Sequence, residues 1–164
     1  MGARRPGHEL PLLLLGGFRR IIDDLHRELA LRGHADARPL HGFALQAVGT
    51  DGVTVAELAR RLGVSKQAAA KTAAALERLG YARSEEDPDD RRARRVHRTD
   101  RGRDLLDVSA QVLAGVRAAW SDQLGATRLD ALETDLATVL GGTGSTTRWD
   151  LPGWLDGTSG PARR

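Results

Sequence analysis

The residues best equipped for chemistry fall in two neighbouring segments: Ser65, Lys66, Gln67 and Lys71, then Arg91, Arg92 and Arg94. Lys66 and Lys71 are the only lysines among the 25 Lys and Arg residues. Both lie in the first two turns of one helical pattern that Ser65 opens. A helix seated in a major groove needs small or polar groups toward the base edges and cations near the phosphates. Gln67 can pair bidentately with an adenine, while Ala70 and Ala74 admit the backbone or touch a thymine methyl. Ser65, Lys66 and Gln67 stand at the end where free amides favour a phosphate. Arg91, Arg92 and Arg94 cluster at the tip of a polar hairpin, where guanidinium groups suit a narrow, electronegative minor groove.

Net charge is only +3, so the distribution of charge matters more than its sum. From 91 to 103 the chain places seven arginines against one acid, Asp100. Such a density points to a polyanion partner. Glu85, Glu86, Asp87, Asp89 and Asp90 precede it, an acidic cluster expected on an exposed hairpin. Mutual pairing of these charges on the surface is the alternative. Exposed pairs contribute only about 0–1 kcal/mol each, which explains little of their concentration. The mixed reading fits best: one or two aspartates shape the loop and the remaining arginines face DNA.

Helices must position these groups, because two Phe and one Tyr leave a core of Leu, Val and Ala. Residues 1–9 read as a loose arm. Residues 12–29 repeat Leu14, Leu15, Phe18, Ile21, Ile22, Leu25 and Leu29 at three and four, a helix with one wide apolar stripe, and Gly33 is placed to end it. A short helix over 40–48 closes in turn residues 49–52. Thr54 and Glu57 have capping-box spacing, opening a helix that buries Leu58, Ala59 and Leu62 and stops at Gly63. The Ser65 helix turns Ala69, Thr72, Ala73, Leu76 and Leu79 inward.

Residues 81–86 and 93–98 read as two strands joined by Asp87-Pro88-Asp89-Asp90. Thr99 caps a long helix whose apolar stripe runs from Leu105 to Leu124, and a last helix over 127–140 is expected to bury Leu129, Leu132, Leu136, Val139 and Leu140. Residues 142–164 form a flexible tail by composition. Trp149, Leu151, Trp154 and Leu155 within it suit docking on the body or on a partner subunit.

Several classes are set aside. There is no cysteine, hence no disulfide framework, thiolate metal site or thiol redox sensor in the chain. Leu12–Leu15 is too short for a signal-peptide core, and no run approaches a membrane span, so a cytoplasmic protein is expected. No Gly-rich phosphate loop, nucleophile elbow or apolar carboxylate pair argues for an enzyme. His34, Asp36 and His41 match no recognised metal-ligand spacing, and neither a metal nor a cofactor is expected.

The chain resembles the MarR family of winged helix-turn-helix transcriptional regulators. The matching residues are Thr54-Val-Ala-Glu-Leu-Ala59 and Leu62-Gly-Val-Ser65 for the helix-turn-helix, and Leu76-Glu-Arg-Leu-Gly80 for the end of the recognition helix. Asp87-Pro-Asp-Asp-Arg-Arg92, then Thr99-Asp-Arg-Gly102, match the wing and the helix after it. One position departs: where the family usually has leucine before the threonine, this chain has Arg98, which puts wing packing in doubt and would add a phosphate contact.

The resemblance implies a mainly α fold with a small β-hairpin, a winged helix-turn-helix flanked by dimerisation helices. It divides a single domain, 1–164, into an N-terminal dimerisation helix at 10–34, the winged unit at 40–98, C-terminal dimerisation helices at 99–141 and the tail at 142–164. Ser65, Lys66, Gln67 and Lys71 match positions of the family's recognition helix, and Asp90 and Arg92 match the wing's aspartate and arginine, with Asp90 shaping the wing. A homodimer reading a pseudo-palindromic operator in double-stranded DNA follows, with repression as the expected sign. By the same resemblance a small aromatic or phenolic effector would enter a crevice lined by Phe18, His41 and Phe43, although core packing for the two phenylalanines and a capping or surface role for His41 are the plainer reading. The competing function is an architectural DNA-binding protein with no sequence preference and no effector.

Overall fold

Residues 6–87 and 93–140 are described in the computed structural model. Helix α1 spans Glu9–Leu31 and α2 spans Pro39–Val48. Strand β1 is Val53–Thr54, followed by α3, Val55–Leu62, and α4, Lys66–Arg78. Strands β2, Ala82–Glu86, and β3, Arg94–Arg98, lead into α5, Asp100–Leu124, and α6, Ala126–Val139. The three strands form one antiparallel sheet in the order β1-β3-β2. Val96 faces Val53 on one side and Ser84 on the other.

The sequence reading holds two strands and the structure has three. A two-residue strand offers no alternation to detect. Val53 and Thr54 were legible only as the approach to a helix cap, which Thr54 also provides: its hydroxyl accepts from the Glu57 amide at 3.2 Å.

One core serves all these elements. Leu45, Leu58, Leu62, Leu76, Tyr81, Val96 and Leu105 are almost wholly buried. Burying each Leu contributes about 1.5–3 kcal/mol relative to exposure. The inward face of α4 carries Ala69 and Ala73 as well as Leu76, so the helix lies close against α3 and needs little side-chain volume between the two backbones.

The flanking helices are another matter. Of the stripe expected on α6 only Leu129 is buried; Leu132 is exposed, and Val139 and Leu140 are 82% and 79% exposed. Leu14 and Leu15 on α1 and Leu113 and Leu124 on α5 are exposed as well, beside Leu10, Leu12 and Leu13. The stripes exist where the spacing puts them, but a single chain offers nothing for their outer ends to pack on.

Two helices are fastened at one junction. The Thr99 hydroxyl accepts from the Gly102 amide at 3.1 Å and donates to the Gly80 carbonyl at 2.6 Å, while its own amide donates to the Tyr81 carbonyl at 3.1 Å. Gly102 is buried in this contact, and a Cβ there would stand 2.1 Å from the Tyr81 carbonyl oxygen. Backbone cannot swing aside as a side-chain tip can, so α5 must shift. Gly102→Ala is expected to destabilise the fold by about 1–3 kcal/mol, as overpacking does. Gly42→Ala, with open space around the added methyl, should be neutral or stabilising by up to about 1 kcal/mol. Thermal melts of the two variants beside the parent check the contrast.

Candidate nucleic-acid interface

The turn between α3 and α4 ends at Ser65, whose hydroxyl accepts from the Ala68 amide at 3.1 Å and so caps α4. This fixes where the helix begins. With Ala69, Ala73 and Leu76 inward, Ser65, Lys66, Gln67, Ala70, Lys71 and Ala74 are all exposed. Four of the sequence-derived site residues are thereby brought onto one outward face. Among the described residues no carboxylate lies within ion-pairing distance of Lys66 or Lys71, so both ammonium groups are presented to solvent.

The arginine run divides differently. Arg91 and Arg92, and Asp90 with them, lie outside the described residues. Arg94 is exposed and donates to the Ser84 carbonyl across the hairpin at 2.8 Å. A guanidinium has five N–H donors, so one bond anchors it without exhausting it. Arg95 and Arg98 turn inward. Arg95 pairs with Asp87 at 3.1 Å and donates to the Gly52 carbonyl at 3.3 Å. Asp87 is 4% exposed, so this part of the supposed surface acid cluster is a buried clamp at the base of the wing.

Arg98 corrects the expected phosphate contact. Its Nε donates to the Leu45 carbonyl at 2.7 Å and its Nη2 to the Gln46 carbonyl at 3.1 Å. These carbonyls belong to the last turn of α2, where helix geometry leaves few backbone donors; Gln46 also accepts from the Gly49 amide at 3.1 Å. Burial and the neighbouring Arg103 charge push the Arg98 guanidinium below its ordinary pKa, but an arginine stays charged. Arg98 thus caps the C-terminal end of α2 with its side chain. Arg101 and Arg103 are also engaged, donating to the Gly33 carbonyl and to the Arg98 carbonyl, respectively. All five described arginines of the run hold protein groups, which a count of charges could not reveal.

The suggested crevice residues differ in burial. Phe18 on α1 and Phe43 on α2 are half-buried, and His41 is buried, its Nδ1 accepting from the Arg38 amide at 3.2 Å. His41 is therefore the third-position partner in the capping box that Arg38 opens for α2. None of the three lines the open groove between α1 and α5, which has Asp24, Arg27, Gln111 and Trp120 on its walls. His34, which the sequence offers only as a metal-ligand candidate of unmatched spacing, is buried against Tyr81 and Asp104. Nothing in its local spacing signals this. Among the described residues no group of three or more His, Asp or Glu is placed to hold a metal ion, and no helix is long and apolar enough to cross a membrane.

Comparison with known proteins places this geometry. The sequence profile of the MarR family matches residues 39–93, from the start of α2 to the threshold of β3. The fold is shared with YusO protein from Bacillus subtilis at a TM-score of 0.65 and 19% identity, covering 85% of this chain and 98% of that one. It is shared with Streptococcus pneumoniae FabT in complex with DNA at 0.66 and 19%, covering 82% and 95%. A MarR-family transcriptional regulator from Rhodococcus sp. RHA1 aligns at 0.62 and 16%, covering 84% and 97%. No curated protein matches the chain by sequence. The family resemblance read from the helix-turn-helix and the wing is thus met by the profile over the winged segment, and the winged-helix fold by the structures.

Two outcomes follow from the site's polar groups. Arg98→Ala strips donors from two carbonyls and is expected to lower stability by about 1–3 kcal/mol. If the chain binds DNA, this variant should keep the salt dependence of binding, whereas loss of a phosphate contact would reduce the log–log slope by about one. Denaturation and salt titration of the same variant read both. Burial holds His41 below its ordinary value of 6.5, helped by the charges of Arg38, Arg78 and His26. Burial lowers His26 too, against Asp23. The folded state resists protons that the unfolded chain accepts, so this stability is complete above pH 6.5 and drains as the pH falls through the folded values. The urea midpoint should fall between about pH 7.5 and pH 5.5, and less so in His41→Gln.

Proposed function

We propose that this chain is a MarR-family transcriptional regulator that binds double-stranded DNA as a homodimer. In this reading α4 enters the major groove and the hairpin follows the adjacent minor groove. The observation that carries it is the outer face of α4: a capped, positively charged N-terminus with Ser65, Lys66 and Gln67, the second lysine one turn on, and alanines between them that admit close approach. Those ammonium groups make no ion pair with any described carboxylate, as a phosphate ligand requires. The solved FabT structure of the same fold is a complex with DNA, and a mutant S. aureus MepR is bound to an oligodeoxyribonucleotide, at a TM-score of 0.57.

Dimerisation rests on the uncovered leucines of α1, α5 and α6. Exposed apolar surface on that scale marks an interface, and a two-fold partner would bring a second α4 to a second half-site. Arg91, Arg92 and Arg94 are assigned to the minor groove and Asp90 to the shape of the wing. Release by a small aromatic effector beside Phe18, His41 and Phe43, and repression as the outcome, belong to the same reading and rest on the family resemblance.

Selection of bound duplexes from a random pool is the direct test. A palindromic consensus bound far more tightly than random duplex at the same salt is the expected result; a ratio near one would favour non-specific binding. On the recovered duplex, Lys66→Ala, Lys71→Ala and Arg92→Ala should each weaken binding and lower the salt slope by about one. Gln67→Ala should relax preference at one base pair at a loss of about 1–3 kcal/mol. Unchanged affinity in Lys66→Ala and Arg92→Ala would remove the proposed interface.

A further inference from the structure

A second polar assembly lies at the opposite end of α4 from the exposed Ser65–Gln67 turn. Helix α1 closes through Gly33, whose φ of +90° lets the His34 amide return to the Leu29 carbonyl at 2.8 Å. The His34 ring is thereby turned into the protein, where the residue is only 2% exposed. Its Nε2 stands 3.0 Å from Asp104 Oδ2 and its Nδ1 3.2 Å from the Tyr81 hydroxyl. A carboxylate only accepts, so Nε2 donates to Asp104, while Nδ1 shares a hydrogen bond with the Tyr81 hydroxyl, which can donate or accept. Arg101, one turn before Asp104 on α5, stacks its guanidinium 5.0 Å from the centre of the Tyr81 ring and donates to the Gly33 carbonyl at 2.9 Å. The end of α1, the end of α4 and the start of α5 meet in this one set of bonds.

Tyr81 is itself part of the root of α4. Its amide donates to the Leu76 carbonyl at 2.8 Å, closing that helix, and its side chain is fully buried. Any change in how Tyr81 is held is felt at the far end of a rigid lever. A 13-residue helix is ~20 Å long, so a ~10° tilt at the root moves the opposite end by ~3 Å, about one base-pair rise.

We propose that His34 is a positioning residue for DNA binding. Acting through the Tyr81 hydroxyl, it fixes the angle between α4 and the arm formed by α1 and α5, and so the separation of the two reading helices in a dimer. This rests on the dimeric DNA-binding function proposed above. Only a fraction of molecules with a loosened root holds the competent angle at any moment, and apparent affinity falls by that fraction. A single half-site makes no demand on the angle.

The test uses the full chain, the duplex recovered by random-pool selection, the same duplex with one base pair inserted between its halves, and a duplex carrying one half alone. The variants are Tyr81→Phe, which removes only the hydroxyl; His34→Gln; their double; and Asp104→Asn, at an exposed carboxylate whose replacement spares the core. Thermal melts confirm folding. Tyr81→Phe is expected to bind the recovered duplex about fivefold more weakly, the loss of one net hydrogen bond, and to discriminate less against the inserted base pair. Binding to the single half should be unchanged. Asp104→Asn should shift spacing discrimination in the same direction, and the double variant should lose no more than the larger single loss. Equal losses on all three duplexes, unchanged spacing discrimination, or additive losses in the double would each overturn the proposal while leaving the DNA-binding function intact. Failure of the unmodified chain to prefer the recovered duplex would overturn both.

Discussion

The contact on which the rest of the structure depends is backbone against backbone: the first turn of α5 resting on the carbonyl of Tyr81. Space for it exists only because residue 102 has no side chain. Thr99 seals the contact with three hydrogen bonds, one inside α5 and two to the chain that leaves α4. Helix α4, the sheet and the long arm therefore share a single node. The exposed face of α4 inherits its orientation from there. No residue on that surface sets its own direction.

Around this node the chain uses its two cations for different work. Guanidinium groups bridge: Arg61 reaches the Ala47 carbonyl as well as Glu57, and Arg95 and Arg98 join β3 to the segment from α2 to β1. A planar fork with several donors can hold a carbonyl and a carboxylate together, and it keeps its charge when half-buried. The arrangement is not free of strain on solvation, since Arg95 Nε is buried with no hydrogen-bond partner among the described residues. The ammonium groups, compact and strongly hydrated, remain outside on α4.

Much of the fold was legible because local signals agreed with one another. Thr54, Ser65 and Thr99 each cap the helix that their spacing foretold. The alternation of apolar residues also gave the inner face of α4 correctly, and with it the outward placement of Ser65, Lys66, Gln67 and Lys71. Long-range bonds were illegible. Arg98 shows a departure from a leucine in the sequence, but its partners are more than fifty positions away, and only the fold says that they are carbonyls rather than phosphates. His34 carries no signal at all, because its burial is created by the closing turn of α1 and the arrival of Tyr81. The apolar stripes of α1, α5 and α6 were visible as pattern, while their exposure in a single chain was not, since pattern does not say which molecule supplies the opposite face.

The segregation of lysine from arginine has a chemical corollary. Every ε-amine the protein possesses stands on the exposed face of one helix. Reagents that acylate or crosslink primary amines, apart from reaction at the chain's own α-amine, are thus addressed to that face. Acylation would erase both ammonium charges there without touching the guanidinium clamps that keep the wing and α2 in place. A fluorescent label or a sensor surface coupled through amines would consequently occupy the outer face of α4 itself, leaving those clamps in place.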